Sequence, residues 1–153
     1  MLYLLLSIYS ALIVVADQVT KYLTVKHIPL WTHKDFIPGF LGFTYTQNTG
    51  GGWSILSDHT WLLVVVSIIC FALIGVAVWK KFFTGKYTLI ALFSVLGGGI
   101  GNLIDRVRLG YVVDMIQTEF MDFPVFNVAD CFISCGAIAL FICVLLEDKR
   151  KQK

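Results

Sequence analysis

The sequence predicts an all-α membrane protein: four transmembrane helices with a small extracytoplasmic β-element. Three observations predict it. Of 153 residues, 58% are hydrophobic and 14% charged, whereas a soluble domain carries charge on about a quarter of its residues. The apolar residues gather into four runs: Met1 to Ala16, Trp61 to Trp79, Tyr87 to Ile104 and Val128 to Leu146. The first three hold no charge, and the fourth holds only Asp130. Between the first two runs, Phe40 to Thr46 is rich in β-branched and aromatic residues, and Phe43-Thr44-Tyr45-Thr46 alternates, which reads as strand.

At about 1.5 Å per residue, runs of roughly 18 residues nearly span a hydrocarbon core of about 30 Å. The reading is therefore one membrane-embedded domain over residues 1–153. Its spans cover about 2–20, 61–79, 87–104 and 128–146, and a β-rich segment covers about 28–60. Gln18, Val19 and Thr20 extend the short first run. A cleaved signal peptide is disfavoured there, because no Lys or Arg precedes the apolar stretch. Trp31, Trp53 and Trp61 fit an interfacial aromatic belt. Residues 107–123 are mixed and suggest at most a short surface helix.

Charge sets the orientation. Lys80, Lys81, Lys86, Lys149, Arg150, Lys151 and Lys153 fall on one side. Lys21, Lys26, Lys34, Arg106 and Arg108 fall on the other, together with eight of the ten acids. The side richer in basic residues is expected to be cytoplasmic. Both termini then lie inside, and residues 17–60 and 105–127 lie outside.

Against this apolar background two aspartates stand out, Asp114 and Asp130. A carboxylate in or near the bilayer is costly, so each is a functional candidate. Two that meet at one membrane face suggest a dyad sharing a proton, able to activate water for peptide hydrolysis. Asp130 opens the fourth helix, whose dipole favours its charge; Asp114 would then keep the proton. Helix capping is the plainer role for Asp130, but Asn127 is the better cap candidate.

Other blocks carry polar residues at informative spacings. Asp17 and Lys21 are four apart and can pair on one helix face. They would either end the first helix as an interfacial ion pair or support the floor of a site. Asn48-Thr49-Gly50-Gly51-Gly52-Trp53-Ser54 reads as a glycine-rich turn, either a flexible hairpin loop or a lip for a docking peptide. Asn102, Asp105 and Arg106 cluster at the end of the third helix, after Gly97-Gly98-Gly99-Ile100-Gly101. Close helix packing explains those glycines but not the three polar residues. The glycine run is not a phosphate loop, since it lies in an apolar helix and lacks the Lys-Ser/Thr ending.

Cys70, Cys131, Cys135 and Cys143 lie in apolar runs and read as small buried hydrophobes. Neither a disulfide nor a metal site is expected. His27, His33 and His59 read as surface residues without a clear partner.

Taken in order, the blocks Asp17-Gln18-Val19-Thr20-Lys21, Asn48-Thr49-Gly50, Gly98 to Arg106, Val112-Val113-Asp114 and Phe126 to Asp130 resemble the bacterial lipoprotein signal peptidases (type II signal peptidases). The resemblance implies an aspartic endopeptidase with Asp114 and Asp130 as catalytic residues. It implies support from Asp17, Lys21, Asn48, Gly50, Asn102, Asp105, Arg106 and Asn127. It further implies a prolipoprotein substrate in the cytoplasmic membrane of a bacterium, cut before a diacylglyceryl-modified cysteine. No metal, organic cofactor or nucleic acid is expected, membrane lipids are the surroundings, and the chain is expected to be a monomer. One departure is visible: the family commonly has alanines after Asn-x-Gly, where this chain has Gly51 and Gly52, which should loosen the loop. Two other classes compete. A proton or ion carrier also uses buried carboxylates, but this chain shows neither inverted repeats nor broken mid-membrane helices. A structural adaptor leaves the two aspartates unexplained.

Overall fold

The computed structural model describes residues 1–52 and 55–151. The chain forms α1 (Leu2–His27), β1 (His33–Ile37), β2 (Leu41–Asn48), α2 (Thr60–Trp79), α3 (Lys86–Leu109), β3 (Val112–Thr118) and α4 (Val128–Lys151). All four helices are long and apolar enough to cross a membrane. The strands form one antiparallel sheet in the order β1-β2-β3. Because β3 follows α3 and β1 follows α1, the sheet gathers the ends of both helices and the starts of α2 and α4 at one end of the bundle.

The outer surfaces of α1, α2 and α4 are oily. Leu12, Leu73, Ile138 and Phe141 are exposed, and α2 buries no residue at all. In water this would be untenable; in lipid, apolar exposure costs little, and helices associate through packing and interhelical hydrogen bonds. The third helix is the hub, with a buried face from Thr88 to Asp105. Ser10 donates to the Phe93 carbonyl at 2.6 Å, and the Tyr9 and Ser94 hydroxyls bond at 2.9 Å, fastening α1 to α3. Against α4 the fit is tightest at Gly98, where a Cβ would stand 2.4 Å from the Ala129 carbonyl oxygen. Only glycine lets the backbones approach this closely.

The first helix does not stop near Thr20; it runs on to His27. The segment 107–123 is not a surface helix either. Gly110, at φ 81°, closes α3 in the left-handed conformation, and its N–H bonds the Arg106 carbonyl at 3.1 Å. The chain then turns into β3, which pairs Thr46 with Asp114 and Asn48 with Val112. Val112, Val113 and Met115 are buried there, so burial and strand pairing override the weak local helical signal.

The cysteines are free thiols, but Cys70 and Cys135 are exposed on the apolar exterior and Cys131 and Cys143 are half-buried. An uninterrupted apolar run need not be interior: in this bundle most of α1, α2 and α4 faces outward, and only α3 is half buried. Trp31 and Trp61 are exposed, while Trp53 and Ser54 lie outside the described residues.

Gly98→Ala should lower the unfolding free energy by about 1–3 kcal/mol, the usual cost of overpacking, because the clash is with backbone. Gly75→Ala is the control, since a Cβ there meets nothing within 4 Å. Thermal unfolding of both variants in detergent checks the contrast.

Candidate functional site

The polar centre begins with a buried ammonium. Lys21, 3% exposed, sits one turn after Asp17 on α1 and points its Nζ into the bundle. It meets Asp17 Oδ2 at 2.9 Å, Asp105 Oδ2 at 3.0 Å and Asn102 Oδ1 at 2.8 Å. A lysine ammonium has three donors and no acceptor, so all three hydrogens are committed. The two acids also tie in other elements. Asp17 Oδ1 accepts from the Ala129 N–H at 3.0 Å, and Asp105 Oδ2 also accepts from the Val113 N–H at 3.0 Å. The cluster thus clamps α1 and α3 to the residues just before Asp130 and Asp114. The pair does not end the helix, which runs on to His27; it lies buried where α1, α3 and the start of α4 meet. Gly101 makes room for it, as a Cβ there would stand 2.6 Å from Asp17 Oδ2.

Lys21 also fixes the direction of the Asn102 amide and, through it, that of Asn127. Asn102 must turn its carbonyl oxygen to the ammonium, so its Nδ2 faces outward and donates to Asp130 Oδ1 at 2.8 Å. The same Asn102 oxygen accepts from Asn127 Nδ2 at 3.1 Å, and that amide nitrogen also donates to Asp114 Oδ1 at 2.6 Å. Asn127 caps α4 as well: its Oδ1 accepts from the Asp130 N–H at 2.9 Å, and its own N–H donates to Asp130 Oδ2 at 3.1 Å. This reciprocal pairing has the form of a capping box. Asp130 is therefore part of the cap, and capping and site-building are not alternatives here.

From the other side, Asn48 at the end of β2 donates to Asp114 Oδ2 at 3.0 Å. Its Oδ1 accepts from the Gly50 N–H at 2.9 Å, and the Gly50 carbonyl accepts from Arg106 Nη2 at 2.9 Å. Arg106 thereby ties the loop after β2 to the end of α3. Its Nε is buried without a hydrogen bond among the described residues. The turn beyond is not an open hairpin: Gly51 N–H bonds the Ile55 carbonyl at 2.7 Å, and Thr60 Oγ1 donates to the Thr49 carbonyl at 2.9 Å.

Asp114, Asp130, Asn48, Asn102 and Arg106 line one cleft of about 920 Å³. Neither Asp114 nor Asp130 has a cation within ion-pair distance among the described residues. Asp114 is 2% exposed. Burial pushes its carboxyl up to about 7, and the charge of Asp130 pushes the same way. The hydrogen bonds from Asn48 and Asn127 and the charge of Lys21 pull back. A half-protonated carboxyl beside a second acid, in a cleft open to water, can exchange protons near neutral pH.

Gln18, which the sequence shows only as an uncharged member of the Asp17–Lys21 block, also belongs to the centre. Its Nε2 donates to Asp105 Oδ1 at 2.9 Å, the Gly101 carbonyl at 3.1 Å and Asp17 Oδ2 at 3.3 Å. The signal available was its spacing three before Lys21, which puts both on one helical face.

Four spans and a polar cleft at one end of the bundle define a multi-pass membrane protein built around two acids. Comparison with known proteins agrees. A family model described as signal peptidase (SPase) II matches residues 9–146. A lipoprotein signal peptidase of Enterococcus faecalis is 46% identical over 144 residues, 94% of this chain and 89% of that protein. One of Latilactobacillus sakei is 42% identical over 146 residues, 95% and 97% of the two chains. A bacterial membrane enzyme solved in meso at 2.3 Å superposes with a TM-score of 0.81 at 34% identity, covering 98% of this chain and 90% of the other. The chain belongs to the signal peptidase II family.

Lys21→Met should cost about 3–5 kcal/mol, because it leaves Asp17 and Asp105 buried without a counter-charge. Thermal unfolding checks this; a variant melting with the wild type would show that the network holds no such energy.

Proposed function

We propose that the protein is an aspartic endopeptidase that removes the signal peptide of membrane-bound prolipoproteins, cutting before the diacylglyceryl-modified cysteine, with Asp114 and Asp130 as its catalytic pair. The observation that carries this reading is the single residue Asn127, whose side-chain Nδ2 donates to the Asp114 carboxylate and whose backbone N–H donates to the Asp130 carboxylate, while both acids line one cleft. Membership of the signal peptidase II family supplies the substrate class.

In this reading Asp130 is the base. Its two oxygens accept hydrogen bonds from Asn102 Nδ2 and the Asn127 N–H, which orient it in the first turn of α4, where the helix dipole suits a negative charge. It takes a proton from water, and the oxygen attacks the scissile carbonyl carbon. Asp114 holds the other proton. It donates a hydrogen bond to the developing oxyanion and then delivers the proton to the leaving amine. No step requires a metal or organic cofactor. The spent acid and base exchange a proton through the next water to restore the pair.

Membrane placement explains the architecture. The substrate's signal helix and acyl chains already lie in the bilayer, so lateral entry between helices carries the scissile bond to the cleft. The charge bias of the sequence puts both termini in the cytoplasm of a bacterium and the cleft at the outer face of its cell membrane. The cleft is assembled within one chain, which supports a monomeric, single-domain peptidase. Cysteine labelling that placed the Asp114 end of the bundle on the cytoplasmic side would contradict this orientation.

Asp114→Asn and Asp130→Asn should each reduce cleavage of a lipidated precursor by at least about 10²–10⁴-fold while leaving helix content unchanged. Wild-type processing by either variant would refute the dyad. Cleavage should also withstand chelators and serine- or cysteine-directed reagents.

The pH dependence has a defined sign. With Asp114 at about 7, the acid form is lost as pH rises through neutrality, so kcat/KM should fall on an alkaline limb near there. The same shift acts on stability. Folded Asp114 keeps its proton from about pH 4 to about pH 7 where the unfolded chain has lost it, so its contribution to stability declines over that window. Asp114→Asn should therefore melt higher relative to wild type at pH 8 than at pH 4. Parallel melting curves at the two pH values test this.

A further inference from the structure

A second cluster of charged groups lies on the sheet, and none of its members lines the cleft. His33 and Asp35 sit two apart on β1, on one face of the strand. Glu119 follows β3; its N–H bonds the Phe40 carbonyl at 3.1 Å and its Oε2 accepts from the Gly39 N–H at 2.7 Å. That anchoring turns Oε1 toward His33. Asp35 Oδ1 and Glu119 Oε1 stand 2.9 and 3.2 Å from His33 Nε2. The side chains converge over Gly42 of the intervening strand. A Cβ there would fall 2.2 Å from His33 Cε1 and 2.6 Å from Glu119 Oε1, so only bare backbone leaves them space. His33 is a surface residue, as the sequence suggests, but it is not without partners.

The hydrogen-bond accounting shows what the cluster lacks. Thr44 Oγ1 gives its hydrogen to Gln117 Oε1. His33 Nδ1, 2.8 Å from the same hydroxyl, must then be the donor of that pair. This leaves the Nε2 lone pair of a neutral imidazole facing two carboxylate oxygens. Glu119 Oε1 is buried and accepts no hydrogen bond among the described residues. Three possible ligand atoms converge within 4.8 Å of one another, and with the ring neutral and protonated on Nδ1 there is no donor between them.

We propose that His33 Nε2, Asp35 Oδ1 and Glu119 Oε1 form a binding site for a divalent transition metal of the zinc class. One imidazole with two carboxylates suits zinc, whereas magnesium and calcium prefer all-oxygen sets. Tetrahedral ligands about 2.0–2.1 Å from zinc stand roughly 3.4 Å apart, so the two spacings from His33 Nε2, 2.9 and 3.2 Å, need open only slightly. The Thr44 hydroxyl on Nδ1 is the kind of outer partner that fixes the tautomer of a metal-bound histidine. His33 and Asp35 are 39% and 62% exposed, so the ion has an entry path and room for a water as fourth ligand. The bound ion would staple the exposed edge strand β1 to the end of β3 across β2. It takes no part in the proposed peptide cleavage.

The test is titration of tag-free, full-length protein in detergent with Zn²⁺ by calorimetry and with Co²⁺ by visible absorption. Wild type should show one saturable site and a rise in melting temperature with Zn²⁺. His33→Gln, Asp35→Asn and Glu119→Gln should each weaken binding at least tenfold. Thr44→Val, which keeps all three ligands, should weaken it by about 10–100-fold. Far-ultraviolet circular dichroism confirms that each variant is folded. No saturable site in the wild type would mean that a proton on Nε2 supplies the missing charge, and would overturn the proposal. So would any of the three ligand variants binding Zn²⁺ within tenfold of wild type.

Discussion

Everything at the polar end of this bundle depends on one buried ammonium. Lys21 neutralises part of the charge on Asp17 and Asp105 and meets Asn102. Its influence passes beyond its contacts because a lysine can only donate. An oxygen must face it, so the amide of Asn102 has a single orientation, and that orientation presents a donor to Asp130. Asn127 and Asn48 extend the same polarity to Asp114. A chain of amides thus carries a directional constraint from the floor of the bundle to the two acids in the cleft.

The same cluster reconciles two kinds of structure. Helices satisfy their own backbone groups and tolerate lipid; strands need partners. The sheet sits where the helices end, and the Asp105 carboxylate joins the two by accepting the Val113 N–H as the chain enters β3. The Asp17 carboxylate does the equivalent for the first turn of α4. Asp17 and Ala129, 112 positions apart in sequence, are thereby held in register.

Much of this was legible in the sequence, for physical reasons. Apolar runs long enough to cross a bilayer leave few alternatives to helices, and each aspartate in such surroundings announces itself by its cost. The spacing of Asp17 and Lys21 showed that they could pair, but not that they would be buried, because burial depends on α3 supplying Gly101 and Asp105. β3 was missed because its strand character comes from pairing with β2, a partner more than sixty residues earlier. The cysteines were read as interior because hydropathy cannot distinguish a core from a lipid-facing surface. His33 looked unpartnered because Asp35 is its neighbour in sequence but Glu119 arrives only through the sheet. Gln18 went unweighted since an amide has no charge to make it conspicuous.

The donors that grip the two cleft acids are amides, from Asn48, Asn102, Asn127 and one backbone N–H. None of these groups titrates in water. Whatever the acidity outside, the cradle offers the same dipoles in the same places, with no ionisation of its own to compete. Changes in occupancy by hydrogen ions at these contacts are thereby confined to the two carboxylates, a small store whose content is set by burial and mutual repulsion working against the fixed pull of the amide donors and the Lys21 charge.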